Sequence, residues 1–252
     1  MTLISVITVN LNNKAGLLKT INSVQEQHSD QLEHIVVDGA STDESVELLQ
    51  GIKATLFTWS SEKDKGIYDA QNKGVLKAKG KYTLFLNSGD VFASASVIRE
   101  VIPQLNEKDI IYGDLITIEN GNRSEHKSFD SADVSNLMIS TIWHPCAFIK
   151  RILFESSGLY NTDFKLAGDY EFFVRTIIKD GATTWHISKF IAEFDMGGQS
   201  NFKDNQALLL AERERAWELN FTNAAIESFK KSVSLERSRE YKWGKRISKF
   251  FP

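Results

Sequence analysis

The 252-residue chain has room for one large α/β domain, or for one domain with a helical extension. Its net charge of -3 at pH 7 argues against a general nucleic-acid binder, and its single cysteine, Cys146, excludes an internal disulfide and a cysteine-based zinc cluster. The sequence has no run near the roughly 20 apolar residues that span a bilayer and no signal-peptide pattern, so we expect a cytoplasmic protein.

Short apolar runs alternate with helical patterns in the first third of the chain. This alternation predicts an α/β fold with a mostly parallel sheet and helices on both faces. Ligands of such sheets bind beyond the carboxyl ends of the strands, which fall at 10–13, 38–42 and 87–90. Strands are predicted at 3–9, 33–37, 55–58 and 82–86, and helices at 14–28, after a capping box at 41–44, and at 67–79.

The middle and the end of the chain follow other patterns. Residues 109–118 are predicted to form a hairpin about Gly113-Asp114, 147–149 a strand and 169–179 a helix. From residue 203 onward the pattern is helical, and 226–252 carries eight Lys or Arg against three Glu, with aromatic side chains between them. We therefore expect a domain at 1–202 and a basic amphipathic extension at 203–252. The extension could contact an anionic membrane surface, pack on the domain or join copies of the chain.

Three aspartates stand where a predicted strand ends or a predicted helix begins. Asp38 follows the second strand and can accept hydrogen bonds from a base or a ribose, or form an Asx turn. Asp90 follows the fourth strand and suits Mg²⁺ or Mn²⁺, which prefer oxygen ligands and share coordination with phosphates, or is only a turn residue. Asp169 can be a helix N-cap or a general base.

The loop and helix at 61–74 are unusually rich in polar side chains. Asn72 and Lys73 are predicted to reach phosphates or a sugar, whereas Lys63 and Lys65 are interpreted as members of a solvated face. The segment lies between the Asp38 and Asp90 motifs in the chain.

Four motifs in this order resemble glycosyltransferase family 2, and most of all its branch that builds colanic acid, capsule and O-antigen repeats. They are Val-Asp-Gly-Ala-Ser-Thr-Asp (37–43), Glu-Lys-Asp-Lys-Gly-Ile-Tyr-Asp-Ala-Gln-Asn-Lys-Gly (62–74), Leu-Asn-Ser-Gly-Asp (86–90) and Ala-Gly-Asp-Tyr-Glu (167–171). The resemblance covers residues 3–200. It implies a GT-A fold, a sugar-nucleotide donor with UDP-sugars favoured, Mg²⁺ or Mn²⁺, and inversion at the anomeric carbon. It also implies a glycan or lipid-linked acceptor at the inner face of the plasma membrane.

The resemblance assigns a role to each aspartate: Asp38 holds the base and ribose, Asp90 the metal and diphosphate, and Asp169 is the catalytic base. Where the family has a second carboxylate near the metal, this chain has Ser88. A loop at 194–200 is similar to the Gly-Gly-x-Ser loop that closes near the diphosphate. Further donor or nucleotide contacts are predicted at Thr8, Val9, Asn10, Glu62, Asp64, Asn72, Lys73, Asn87, Ser88 and Gly89, and contacts to the donor sugar or acceptor at His144, Gly168 and Tyr170.

Three alternative functions remain open at this point. A nucleotidyltransferase usually needs a glycine-rich phosphate loop after the first strand, whereas 10–16 holds one glycine, Gly16. A non-catalytic sugar-nucleotide or glycan-binding module would not need Asp169, and a scaffold would leave the polar strand ends without a purpose. The donor sugar, the acceptor, the linkage and the oligomeric state are not determined by the sequence.

Overall fold

The computed structural model describes residues 2–53, 55–105, 107–196 and 202–247, with side chains described up to 196 and from 205 to 238. These residues form one mixed sheet flanked by helices. The strands are β1 (Ile4–Asn10), β2 (Leu32–Asp38), β3 (Phe57–Ser61), β4 (Tyr82–Phe85), β5 (Val91–Phe92), β6 (Ile110–Glu119), β7 (Asn122–His126), β8 (Ala147–Lys150) and β9 (Thr184–Asp195). The α-helices are α1 (Lys14–Gln25), α2 (Ser45–Gly51), α3 (Ile67–Lys77), α4 (Val97–Val101), α5 (Val134–Ile139), α6 (Ile152–Ser156), α7 (Gly168–Phe173), α8 (Phe202–Asn220) and α9 (Asn223–Ile247).

The first four strands form the parallel half of the sheet that the sequence predicts. Their order is β3-β2-β1-β4, and every pairing among them is parallel. All residues of β1 and β2 are buried because helices cover both faces, as is usual for parallel strands. In β1, Ile7 and Val9 face the cluster that contains α3, while Ile4 and Val6 face the opposite cluster. The carboxyl ends of these strands therefore meet at one edge of the sheet.

The second half of the sheet is mixed. Strand β8 runs antiparallel to both β4 and β6, whereas β6 and β9 are parallel. The short strand β5 pairs with the end of β9 in antiparallel fashion, with Val91 opposite Glu193. This pairing places the end of β9 beside the segment that follows β4. That segment contains Asp90, the predicted metal ligand.

The predicted hairpin about Gly113-Asp114 is wrong. Residues 110–119 form one continuous strand, β6, with a bulge at Gly113-Asp114. Gly113 is needed for close packing, since a Cβ there would lie 2.5 Å from the backbone oxygen of Lys189. The hairpin lies further on, between β6 and β7, where Asn120 and Gly121 both have positive φ. Paired residues with positive φ suit the tight turns that join twisted strands.

The predicted capping box before α2 is also wrong. The helix begins at Ser45, and the residue before it, Glu44, has φ of 65° and no capping side chain. Asp43 instead accepts hydrogen bonds from the backbone and hydroxyl of Ser45 and from the backbone of Lys14. Ser41 is held by Asp38, because its side chain and backbone both donate to that carboxylate.

The helices of the predicted extension pack on the rest of the chain. Helix α7 continues as a π-helical segment (Val174–Lys179), and α8 contacts both parts. Trp217 and Phe229 pack against each other, and α9 also contacts α5. Among the described helices, none has the length and apolar composition of a membrane span. The side chains at 239–252, on which the expected membrane contact largely depends, lie outside the described residues.

Candidate functional site

A cavity of about 420 Å³ lies where the segment after β4, the start of α3, the turn before β8 and the start of α7 meet. Asp90 lines it from the first of these segments and Asp169 from the last. Helix α8 adds Arg213 to the wall. The cavity therefore brings together two of the three predicted aspartates, although they are far apart in the chain. The third, Asp38, lies outside this wall.

Asp169 is held in the first turn of α7 by a tyrosine. The hydroxyl of Tyr68, from the start of α3, donates a hydrogen bond to Asp169 Oδ1 at 2.9 Å. Asp169 is not the N-cap, since Ala167 occupies that position. Gly168 permits this arrangement, because a Cβ there would lie 2.8 Å from the Tyr68 ring. The predicted contact of Gly168 with the donor sugar or acceptor stays untested, and the structure gives this glycine a packing role.

Asp90 is a buried carboxylate with little compensation from the protein. Its Oδ2 accepts a hydrogen bond from the backbone of Asn87 at 3.1 Å. Burial raises the pKa of Asp90 to about 7, and the Asp195 carboxylate adds to that effect. A cation at this point would stabilise the ionised form.

The donor set fits Mg²⁺ or Mn²⁺ shared with a substrate. Such ions are commonly bound by one or two protein carboxylates together with substrate phosphates and water. Within the described ranges, no three His, Cys, Asp or Glu side chains cluster as a complete ligand set. A metal at Asp90 would therefore take its remaining ligands from a bound substrate and from water.

The turn that carries Asp90 is braced by α1. Gly89 adopts φ of 112°, which favours glycine, and its backbone donates to the hydroxyl of Thr20. Ser88 donates its backbone N–H to Val9 and accepts a hydrogen bond from Asn13 at its backbone oxygen. These contacts place Ser88 and Gly89 in the framework of the turn, whereas Asn87 and Asp90 reach the cavity.

Asp38 is fully buried and its carboxylate already has four hydrogen bonds. Two come from Ser41, one from Ser61 and one from Asn10. Burial acts to raise the pKa of Asp38, but these hydrogen bonds outweigh it and hold the pKa below its usual value. Asp38 therefore organises the strand-end loops, and its predicted contact with a base or ribose stays untested.

A second cluster of predicted residues surrounds Gly39, beside the strand end. A Cβ on Gly39 would lie 2.6 Å from the carboxylate of Asp64, so this acidic side chain lies across the glycine. Asn10 is almost fully buried, and its side-chain oxygen has no hydrogen-bond partner within the described chain. Thr8 instead hydrogen-bonds the His34 ring inside the sheet. Asp64 is partly exposed, so among Thr8, Asn10 and Asp64 it is the side chain most open to a ligand.

The structure gives Asn72 and Lys73 roles that differ from the predicted phosphate or sugar contact. Asn72 is buried and pairs with the backbone of Tyr160 through both its amide and its carbonyl. Lys73 lies 3.4 Å from Glu62 and 3.4 Å from Asp69, and donates to the backbone of Lys63. These contacts join α3 to its neighbouring loops, and the predicted contact of Asn72 and Lys73 with phosphates or a sugar stays untested.

His144 and Tyr170 line the cavity, but both have partners inside the protein. His144 stacks on Phe85 and hydrogen-bonds the Tyr160 hydroxyl at 2.8 Å. Burial lowers the pKa of His144, and the Asp169 carboxylate only partly opposes this effect. The Tyr170 hydroxyl donates to the backbone of Leu137 and accepts from Trp217. Both side chains therefore have little free hydrogen-bonding capacity for a ligand.

Sequence reasoning missed three residues that shape the cavity. Tyr68 stands in the motif at 62–74, where its residue type gives no signal of a contact with Asp169. Gln71 is fully buried in the cavity wall, where its amide donates to Asn87 and its side-chain oxygen has no partner among the described residues. Glu212 of α8 accepts the backbone N–H groups of Lys165, Leu166 and Ala167 at 2.7–2.8 Å, just before Asp169. A lone glutamate in a helical pattern carries no signal of such a contact.

Comparison with known proteins identifies relatives. The model of "Glycosyl transferase family 2" matches residues 5–165. An uncharacterised glycosyltransferase of Mycobacterium tuberculosis is 30% identical over 213 residues, covering 81% of this chain and 79% of that protein. The crystal structure of S. aureus TarS 1-349 in complex with UDP aligns with a TM-score of 0.66 at 17% identity, covering 84% of this chain and 65% of that one. The mannosyltransferase PcManGT from Pyrobaculum calidifontis, in complex with GDP-Man and Mn²⁺, aligns with a TM-score of 0.64 at 17% identity, covering 83% and 62%.

Proposed function

The chain belongs to glycosyl transferase family 2, and from this premise we propose that it transfers a sugar from a sugar nucleotide to an acceptor hydroxyl, with inversion at the anomeric carbon and with a divalent metal. The enzyme class, and the GT-A fold predicted from the sequence, are confirmed by the family match and by the fold likeness to TarS. The mechanism, the metal and the acceptor are the parts that we propose.

The observation that carries the proposal is the pairing of Asp90 and Asp169 in one cavity. The two carboxylates have different environments. Asp90 is buried and has one backbone donor, so it is suited to a cation and the phosphates bound to it. Asp169 is oriented by a tyrosine at the start of a helix, so it is suited to accept a proton.

In the proposed mechanism the acceptor oxygen attacks the anomeric carbon from the face opposite the diphosphate. Asp169 takes the hydroxyl proton as this bond forms, and the bond between the anomeric carbon and the diphosphate oxygen breaks. Mg²⁺ or Mn²⁺, held by Asp90 and the phosphates, would neutralise the charge that develops on the diphosphate. Gln71, whose side-chain oxygen has no partner among the described residues, is the wall residue that we propose contacts a sugar hydroxyl.

The donor and acceptor classes are narrower proposals. A UDP-sugar is the donor we favour, and the nucleotide would lie beside Asn10, Gly39 and Asp64 at the ends of β1 and β2. TarS has been crystallised with UDP and PcManGT with GDP-Man, which supports a nucleoside-diphosphate sugar in general. The acceptor we propose is a growing cell-surface polysaccharide or a lipid-linked oligosaccharide, as the four motifs indicate.

A screen of nucleotides and sugar nucleotides with Mn²⁺ tests the donor assignment. We expect a rise in melting temperature with UDP and one or more UDP-sugars, because a ligand that binds only the folded state stabilises it. Nucleotide release should follow when the same sugar nucleotide is incubated with an acceptor. A shift with GDP or dTDP compounds alone would correct the donor class, and binding without any release would favour the sugar-binding module.

Removal of the metal tests the role of Asp90. We expect EDTA to lower transfer by roughly 100-fold or more, because charge on the leaving diphosphate would no longer be neutralised, and Mn²⁺ or Mg²⁺ to restore it. Asp90→Asn should show the same loss without recovery, since its amide oxygen can still accept from Asn87 but carries no charge. Full transfer in metal-free buffer would contradict the assignment.

A further inference from the structure

We propose that Tyr68 is a positioning residue that orients the Asp169 carboxylate for proton transfer; this inference rests on the proposed function. The Tyr68 hydroxyl donates to Asp169 Oδ1 across 101 positions of the chain. The hydrogen bond engages one carboxylate oxygen and leaves the second to take the acceptor proton. It also limits rotation of the carboxylate, so the base keeps one orientation while donor and acceptor bind.

Packing holds the Tyr68 ring beside Asp169. The residue is 5% exposed, and its ring packs against Tyr160 with centroids 5.7 Å apart. On the other side it lies against Gly168, where even a methyl group would come within 2.8 Å of the ring. The glycine before the base and the tyrosine that contacts the base are therefore fitted to each other.

Tyr68 stays a hydrogen-bond donor across the working pH range. Burial raises its pKa well above the usual value, and the charge of Asp169 and the hydrogen bond to it add to the effect. The other groups around the base are the buried His144 and Tyr160, together with Asp90, Lys165 and Arg213 in the cavity wall. His144 is mainly neutral near pH 7, because burial lowers its pKa.

The test compares two Tyr→Phe variants in the same aromatic cluster. For Tyr68→Phe we expect kcat to fall by roughly 10-fold with the donor KM little changed, and the acidic limb of the pH–kcat profile to move to higher pH. The limb moves upward because a carboxylate that loses a donor is protonated more readily. Tyr160→Phe removes a hydroxyl that contacts His144 instead of Asp169, so its acidic limb should stay in place.

Gly168→Ala provides an independent variant that keeps both the hydroxyl and the carboxylate. Its methyl group should displace the Tyr68 ring, so we expect the acidic limb to move in the same direction as in Tyr68→Phe. Thermal melts of each variant separate loss of folding from loss of positioning. A wild-type pH profile in a folded Tyr68→Phe, or in a folded Gly168→Ala if the first does not fold, would overturn the inference. Absence of transfer by the wild type with every donor would instead reject the proposed function, and the inference with it.

Discussion

Asp169→Asn is expected to lower the rate of sugar transfer by ~10²–10⁴-fold, the usual contribution of a general base. The amide oxygen can still accept the hydrogen bond from Tyr68, so the geometry of the cavity should survive. Only the group that accepts the proton is lost. Donor affinity should therefore stay close to that of the wild type, and the measurement is kcat under donor saturation together with the donor Kd.

Asp163→Asn is a matched control for this variant. The substitution removes the same charge as Asp169→Asn, in the loop that leads to α7. The Asp163 side chain is exposed and lies outside the cavity wall. We expect Asp163→Asn to retain wild-type turnover. Near-normal turnover by Asp169→Asn would reject Asp169 as the base. A loss of donor binding as large as the loss of turnover would show that Asp169 acts in binding instead.

Glu212→Ala is expected to be the most destabilising of the proposed substitutions, lowering the free energy of unfolding by about 3 kcal/mol. The change removes the acceptor of three backbone N–H groups, at Lys165, Leu166 and Ala167, and an unsatisfied buried donor costs roughly 1–3 kcal/mol. Water can reach the exposed start of this loop, so the three costs do not add in full. In a domain of this size the melting temperature should fall by roughly 6–12 °C.

Glu218→Ala is the control on the same helix. It removes the same charge as Glu212→Ala, but from an exposed side chain. Its free energy of unfolding should change by no more than ~0.5 kcal/mol. The loop held by Glu212 leads directly to Gly168 and Asp169, so Glu212→Ala should also reduce transfer at temperatures where it is folded. If the melting temperature of Glu212→Ala equalled that of Glu218→Ala, the loop would keep its position without the Glu212 carboxylate.

The strands of the first third could be predicted because their signal is local. Fully buried parallel strands are continuous apolar runs, and β1 and β2 were found within one residue of their predicted bounds. The hairpin prediction at Gly113-Asp114 failed for the opposite reason. A glycine has the same appearance in a turn and in a bulge, and here the neighbouring backbone at Lys189 is what requires it.

The prediction for the extension shows the same limit. Its helices were predicted from their periodicity, but nothing in that pattern indicated that Glu212 would hold the loop before Asp169, or that Arg213 would enter the cavity wall. The proposed membrane contact of the basic C-terminal segment stays a prediction. The first part of α9 packs on the protein, with Ile226 and Val233 buried.

The sequence by itself determined the parallel half of the sheet and the edge where chemistry is expected, because apolar periodicity and strand-end residues are short-range features. It also carried the four motifs that place the chain in its family. Only the tertiary structure decided that Asp90 and Asp169 share a cavity while Asp38 stays in the framework of the loops. It likewise paired Tyr68 with Asp169, and Glu212 with the loop at 165–167. The physical reason is that such contacts join residues 45 to 101 positions apart, and a local pattern does not specify a distant partner.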